Sequence, residues 1–232
     1  MAILPYISDS DLITHTSKLV DAAKRGEKKV YANPYNNVID PFSALVDAAR
    51  QNISLEEWMK QEQARQIQKS FQNAIGEFHQ QILGSIGGWN NAGAGGSYDV
   101  INNEMKIIAE VKNKYNTMNS SSALNAYDKM AHWLDYGKSG YRAFIVEIVP
   151  EKPLPYSVPF TPSDRKVKRQ TRENLRRIDG RSFYALATGI PQAIDLLYKA
   201  LPDVLDELLN TSEEKLTRSV AFDELFSRVY LQ

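Results

Sequence analysis

Apolar residues return at three- and four-residue steps over two long stretches of the chain, the period of an amphipathic helix. The first predicts a helix over residues 9–25, with Leu12, Ile13, Leu19 and Val20 on its buried side. The second begins at Ser54-Leu55-Glu56-Glu57, which has capping-box spacing, and runs to about Leu83. Its stripe is Trp58, Ile67, Phe71, Ala74, Ile75, Phe78 and Ile82, opposite a Gln-rich face. Between them, Asp40-Pro41 places a capping acid before a proline at the first helical position. Glycines 84, 87, 88, 93, 95 and 96 then break the helical period. Two short strands are predicted next, about Ser97–Ile101 and Lys106–Lys112, joined by a turn at Asn102-Asn103-Glu104. A helix follows over 121–136, and Tyr141–Val149 is an aromatic, β-branched strand. Prolines 150, 153, 155, 159 and 162 predict an extended arm, followed by a basic segment to Arg181. Helices near 182–188, 191–209 and 214–229 complete the chain. The order predicts an α/β fold with a mixed sheet flanked by helices, organised as a single domain over 1–232. Its core spans about 54–149, with helical additions at 1–53 and 150–232.

Pairing the two short strands about their turn sets Val100 opposite Ile107 and Asp99 opposite Ile108. Tyr98, Val100, Ile107, Ala109 and Val111 then share an apolar face. Asp99, Ile108, Glu110 and Lys112 share the other. Asp99 and Glu110 become diagonal cross-strand neighbours whose carboxylates can converge on one cation. Two carboxylates with water and phosphate oxygens suit Mg²⁺, a hard cation that keeps much of its hydration shell. Such an ion polarises a phosphate and acidifies a bound water. Lys112, one side-chain step beyond Glu110, is placed to orient the attacking water and neutralise developing charge. The backbone carbonyl of Val111 is a further candidate metal ligand. The small residues of Gly93–Gly96 leave room for a bulky polymer backbone beside Asp99.

Charge and composition narrow the reading. Lysine plus arginine and aspartate plus glutamate are both 28, so net charge is zero, which gives no global electrostatic signature of nucleic acid binding. The distribution is uneven. Arg165, Lys166, Lys168, Arg169, Arg172, Arg176, Arg177 and Arg181 form the densest positive tract, a candidate for phosphate contacts and base reading. Asn113, Lys114 and Asn116, just beyond Lys112, are candidate DNA contacts as well. There is no cysteine, so disulfides and thiolate metal sites are excluded. His15, His79 and His132 lack metal-ligand spacing, and neither a P-loop nor a dinucleotide fingerprint is present. No apolar run is long enough for a membrane span, and the N-terminus lacks a signal-peptide layout, so a cytoplasmic protein is expected.

The run Ile107-Ile-Ala-Glu-Val-Lys-Asn-Lys-Tyr-Asn-Thr117, with Asp99 upstream, resembles the catalytic centre of type II restriction endonucleases of the PD-(D/E)xK superfamily. The likeness is to the family that cleaves GGNCC- or GGWCC-type sites. It extends to Asn37-Val-Ile-Asp-Pro-Phe42, Glu62-Gln-Ala-Arg-Gln66, Gln72-Asn-Ala-Ile-Gly-Glu-Phe-His-Gln80 and Pro159-Phe-Thr-Pro-Ser-Asp164. It ends near Ile178-Asp-Gly-Arg-Ser-Phe-Tyr184, so it covers most of the chain. Tyr98 stands where the family pattern often has proline. The resemblance implies a restriction-endonuclease-like core with Asp99, Glu110 and Lys112 as catalytic residues. It also implies Mg²⁺ dependence, a homodimer, double-strand cleavage at a short palindrome and a cognate DNA methyltransferase. In this superfamily the helix before the hairpin sometimes adds an acid to the metal site, which here would be Glu77. Two rival functions are a repair or junction-resolving nuclease of the same fold and a non-catalytic DNA-binding protein.

Overall fold

The computed structural model describes residues 2–35, 37–93, 96, 98–137, 139–164, 167–209 and 220–230. The chain divides into two compact units, one of residues 17–75 and one of residues 1–16 with 76–232.

The smaller unit is helical. Helix α1 (Asp9–Ala32) enters it, α2 (Pro41–Gln51) lies within it, and α3 (Leu55–Gly84) leaves it. Helix α1 extends past the predicted end at residue 25 because Gly26 does not stop it. A Cβ at Gly26 would lie 3.0 Å from that of Ser70 on α3, so the glycine serves a close helix–helix approach. Asp40 caps α2 by accepting from the Phe42 N–H at 3.0 Å, and Ser54 accepts from the Glu57 N–H at 3.1 Å, as the sequence predicts. Ala44, Ala48 and Trp58 form the small core, with Ile39, Ile53 and Met59 packed around it.

The larger unit is built on a six-stranded mixed sheet flanked by helices. Its strands are β1 (Trp89–Asn91), β2 (Val100–Asn102), β3 (Ile107–Lys114), β4 (Arg142–Val149), β5 (Ser157–Pro159) and β8 (Leu175–Asp179), in the order β1-β2-β3-β4-β8-β5. Strands β3, β4 and β8 run parallel, and the outer pairings are antiparallel. A two-stranded ribbon joins β6 (Ser163–Asp164) to β7 (Val167–Lys168). Helix α4 (Ser120–Tyr136) covers one face through Tyr127, Met130 and Leu134, packed on Ile108, Ala143, Ile145 and Leu175. Helix α5 (Gly180–Thr188) covers the other, with Phe183 against Phe144 and Trp89. Gly180 permits this packing, since a Cβ there would lie 2.5 Å from the Ile148 carbonyl oxygen. Helices α6 (Ala193–Leu209) and α7 (Val220–Tyr230) follow. The predicted helix over 214–229 is described only from Val220 onward.

Several local expectations are corrected. Strand β2 is shorter than the predicted 97–101, and Val100 faces Ala109 rather than Ile107. The turn is longer than expected: Asn102 Oδ1 accepts from the Met105 N–H at 2.8 Å, and Lys106 takes φ 54° before β3 begins. A two-residue change of register preserves the faces, so Asp99, Glu110 and Lys112 still belong together. Tyr98 precedes the strand and escapes its alternation. Its ring packs against Trp133 of α4, on the face opposite to the one expected. The proline-rich arm and the basic segment are also part of the sheet, because β5 and β8 lie within them.

One interior group was not singled out in the sequence. Glu147 is the lone acid of the apolar strand β4 and is 1% exposed. It pairs with Lys112 in the β3–β4 ladder and with Asp179 in the β4–β8 ladder. Both carboxylate oxygens accept from Arg177 Nη2 at 2.8 Å, and the Tyr156 hydroxyl donates to Oε2. Burying that charge is tolerable only while it is paired. Arg177→Ala leaves the carboxylate unpaired and is expected to cost about 3–5 kcal/mol of unfolding free energy, measured by urea denaturation. A loss below about 1 kcal/mol would show that the pair carries no structural weight.

Candidate active site

The predicted residues gather along β3 just beyond the end of its pairing with β2. Asp99 lies just outside the β2–β3 ladder, with its N–H donating to the Ala109 carbonyl at 2.9 Å. Its carboxylate turns along β3 and accepts from the Val111 N–H at 2.7 Å. In an extended strand the carbonyl of a residue leaves on the same side as its N–H, so Val111 O is directed towards the Asp99 edge. Glu110 and Lys112 follow Ile108 on the face that α4 covers. The cover ends beyond Ile108, because burial along β3 gives way to partial exposure from Glu110. Lys112 Nζ lies 2.6 Å from Glu110 Oε1. A pocket opens there between β3 and α4, with Gly96, Glu110 and Lys112 on one side and Ser122, Asn125 and Lys129 on the other.

These last three residues escaped the sequence reading. They lie at i, i+3 and i+7 on α4, one polar face of a helix whose other face is core. That spacing, on the helix after Glu110-Val-Lys112, was the available signal.

Burial, and then a neighbouring like charge, oppose ionisation of Asp99. Desolvation pushes the Asp99 pKa up to about 6, and the nearby negative charge of Glu110 adds to the rise. The Val111 N–H and the Lys112 ammonium oppose it without cancelling it. Two carboxylates and a carbonyl form a hard, anionic oxygen donor set that fits a cation such as Mg²⁺. Among the described residues no group of three or more His, Cys, Asp or Glu is placed to hold a metal. Glu77 is exposed on α3 and accepts from Gln81 Nε2 at 3.0 Å.

The candidate DNA contacts divide. Lys114 and Asn116 are exposed at and beyond the end of β3, and Asn113 is half-buried. Arg165 and Lys166 lie outside the described residues. Lys168 is exposed on β7. Arg169 pairs with Asp128 at 2.8 Å and Arg172 with Asp135 at 2.7 Å, both acids being on α4. Arg176 pairs with Glu173 at 2.7 Å, and Arg177 with Glu147 as above. Much of the positive tract is therefore neutralised locally and ties its own segment to the sheet and to α4.

A mixed sheet with helices on both faces, and an acid, a second acid and a lysine collected along β3, has the organisation of a restriction-endonuclease-like nuclease. Comparison with known proteins identifies the family. The sequence model of the family described as Eco47II restriction endonuclease matches residues 4–210. Over 215 residues the chain is 41% identical to the type II restriction enzyme Eco47II of Escherichia coli, covering 90% of each. Over 235 residues it is 26% identical to the type II restriction enzyme Sau96I of Staphylococcus aureus, covering 99% of this chain and 88% of that protein. No solved structure matches it. The chain belongs to the Eco47II restriction endonuclease family and is a site-specific restriction endonuclease.

The raised Asp99 pKa has a consequence for stability. The folded state holds this proton more tightly than the unfolded chain, so stability falls as pH rises from about 4 through about 6. Asp99→Asn removes the ionisation and keeps an acceptor for the Val111 N–H. Without metal, this variant is expected to be more stable than the parent by about 1–2 kcal/mol at pH 7–8, after allowance for solvent screening. The gain should disappear near pH 4. Thermal melts across this range in EDTA would show it, and a destabilised variant at pH 8 would contradict the strain.

Proposed function

We propose that this restriction endonuclease cuts both strands of a short palindromic duplex of the GGNCC or GGWCC type, with Mg²⁺ as cofactor and Asp99, Glu110 and Lys112 as the catalytic residues. The observation that carries the reading is the meeting of these three side chains where β3 emerges from the cover of α4. Asp99, Glu110 and the Val111 carbonyl would hold the ion, which when bound polarises the scissile phosphate and acidifies a water. The Val111 N–H fixes the Asp99 carboxylate along the strand. Lys112, next to Glu110, orients the attacking water and offsets the negative charge on the phosphoryl oxygens as the water oxygen bonds to phosphorus and the sugar oxygen leaves, taking up a proton. Lys129, across the pocket, presents a second positive charge to the same phosphate.

A palindromic site presents two equivalent strands, and a homodimer meets them with one active site each. A cognate DNA methyltransferase would protect the cell's own copies of the site. Among the described residues no helix is long and apolar enough to cross a membrane. We place its action on DNA in the cytoplasm.

Asp99→Asn, Glu110→Gln and Lys112→Ala should each slow plasmid cleavage at least about 100- to 1000-fold. Cooperative melting and binding to the cognate duplex should persist. Mg²⁺ or Mn²⁺ should support cleavage, while Ca²⁺ should permit binding without cutting, because it prefers looser geometry and activates water poorly. Near-parental rates in any of the three variants, or cutting in EDTA, would place the chemistry elsewhere.

The divided basic tract predicts two phenotypes. Lys168→Ala should weaken binding to all duplexes and reduce the salt slope by about one. Arg172→Ala should lower stability more than affinity. Titrations against cognate and scrambled duplexes at two salt concentrations separate the two. An unchanged slope for Lys168→Ala would remove β7 from the DNA contact.

A further inference from the structure

Helix α2 has two apolar faces. Ala44 and Ala48 are buried against Trp58. On the outer side, Phe42, Leu45 and Val46 are 78%, 69% and 67% exposed. Ala49 is exposed as well, so the outer residues fall at i, i+3, i+4 and i+7, one continuous stripe. Size and burial are inverted here: the helix buries methyl groups and shows its largest side chains to water. Single exposed apolar residues are ordinary, but a stripe at helical spacing marks a contact surface.

The stripe is complementary to itself. If a second α2 lies antiparallel across a two-fold axis with Leu45 facing the partner's Val46, the same register sets Phe42 over the partner's Ala49. A large ring then meets a methyl group, as ridges meet grooves in packed helices. The helix ends also match, since Asp40 approaches the partner's Arg50. With Val38 and Leu55, which flank α2 in sequence and are exposed, the stripe offers on the order of 600 Å² of apolar surface, near the roughly 800 Å² per partner of a standard interface. Its charges do not suit nucleic acid: Asp40 and Asp47 outnumber Arg50, which is paired to Asp47 at 2.7 Å.

We infer that the outer face of α2 is the surface through which a second copy of this chain packs across a two-fold axis. The partner's identity rests on the homodimer proposed above, while the location rests on the stripe itself.

Sedimentation equilibrium of the full chain, alone and with cognate duplex, tests this beside melting curves. The parent should be a dimer, and Leu45→Asp should raise its dissociation constant at least about 100-fold while leaving a cooperatively melting monomer. Should Leu45→Asp fail to fold, a cross-link decides. The chain has no cysteine, so a disulfide can form only at an introduced one. Leu45→Cys, beside the axis, should give a covalent dimer on oxidation, and Lys60→Cys, at an exposed position on α3, should not. A parent dimer that survives Leu45→Asp unchanged, or fails to cross-link through Leu45→Cys, overturns the location and leaves the two-fold assembly standing. A dimer in which Leu45→Asp loses only DNA affinity assigns the stripe to nucleic acid and overturns the inference. A parent that cuts both strands as a monomer removes the two-fold assembly, and the inference with it.

Discussion

The parallel pairing of β3 with β4 sets where the charged half of β3 lies in the sheet. It places Lys112 beside Glu147, and the next ladder places Glu147 beside Asp179, so a charged row crosses the sheet at one level. One level earlier, Glu110 pairs with Ile145, and Ile145 with Arg177. On β3 the residues before that level are buried, while Glu110 and Lys112 are partly exposed; on β4 burial continues through Ile148. β3 therefore has an apolar first half that anchors it and a charged second half whose side chains are positioned by that anchor. Arg177 neutralises Glu147 inside the row and the Tyr156 hydroxyl donates to it, while Lys112, at the open end, contacts Glu110.

The open end holds Asp99 and Glu110 in an arrangement that costs stability once both are ionised. Asp99 is held where its own burial and the charge of Glu110 both oppose ionisation. A folded protein without a task for that pair would gain by separating it or amidating one member. A positive charge between the carboxylates would relieve the strain, so the geometry that costs stability is one that favours a cation. Lys112 relieves part of it, contacting Glu110 and lowering the Asp99 pKa by its charge.

The basic tract shows how composition and location differ. Read along the chain, it is the most positive segment and an obvious candidate for phosphate contacts. In three dimensions Arg169 and Arg172 meet acids that α4 contributes from about forty residues earlier, and Arg177 meets an acid buried in β4. The net field of the segment is lower than its arginine count implies, because those acids are distant in sequence and near in space. The exposed lysines, Lys114 at the end of β3 and Lys168 on β7, keep more of their field in solvent.

Sequence alone determined the helices, the strongest strand and the face shared by Asp99, Glu110 and Lys112. Those rest on short-range periodicity and local capping, as at Asp40 and Ser54, which the chain states within a few residues. The family likeness was legible too, because its motifs are contiguous. Only the tertiary structure decided the register of β2 on β3, set by the Asn102 side chain and the left-handed Lys106. Only there did β5 and β8 become sheet strands, because their pairing partners are remote in sequence and prolines and arginines hide the strand pattern. The burial of Glu147, the coverage of Ile108 by α4, the appearance of Lys129 across the pocket and the exposed side of α2 all depend on which surfaces meet. Periodicity can assign a residue to a face, but what covers that face is a property of the folded chain.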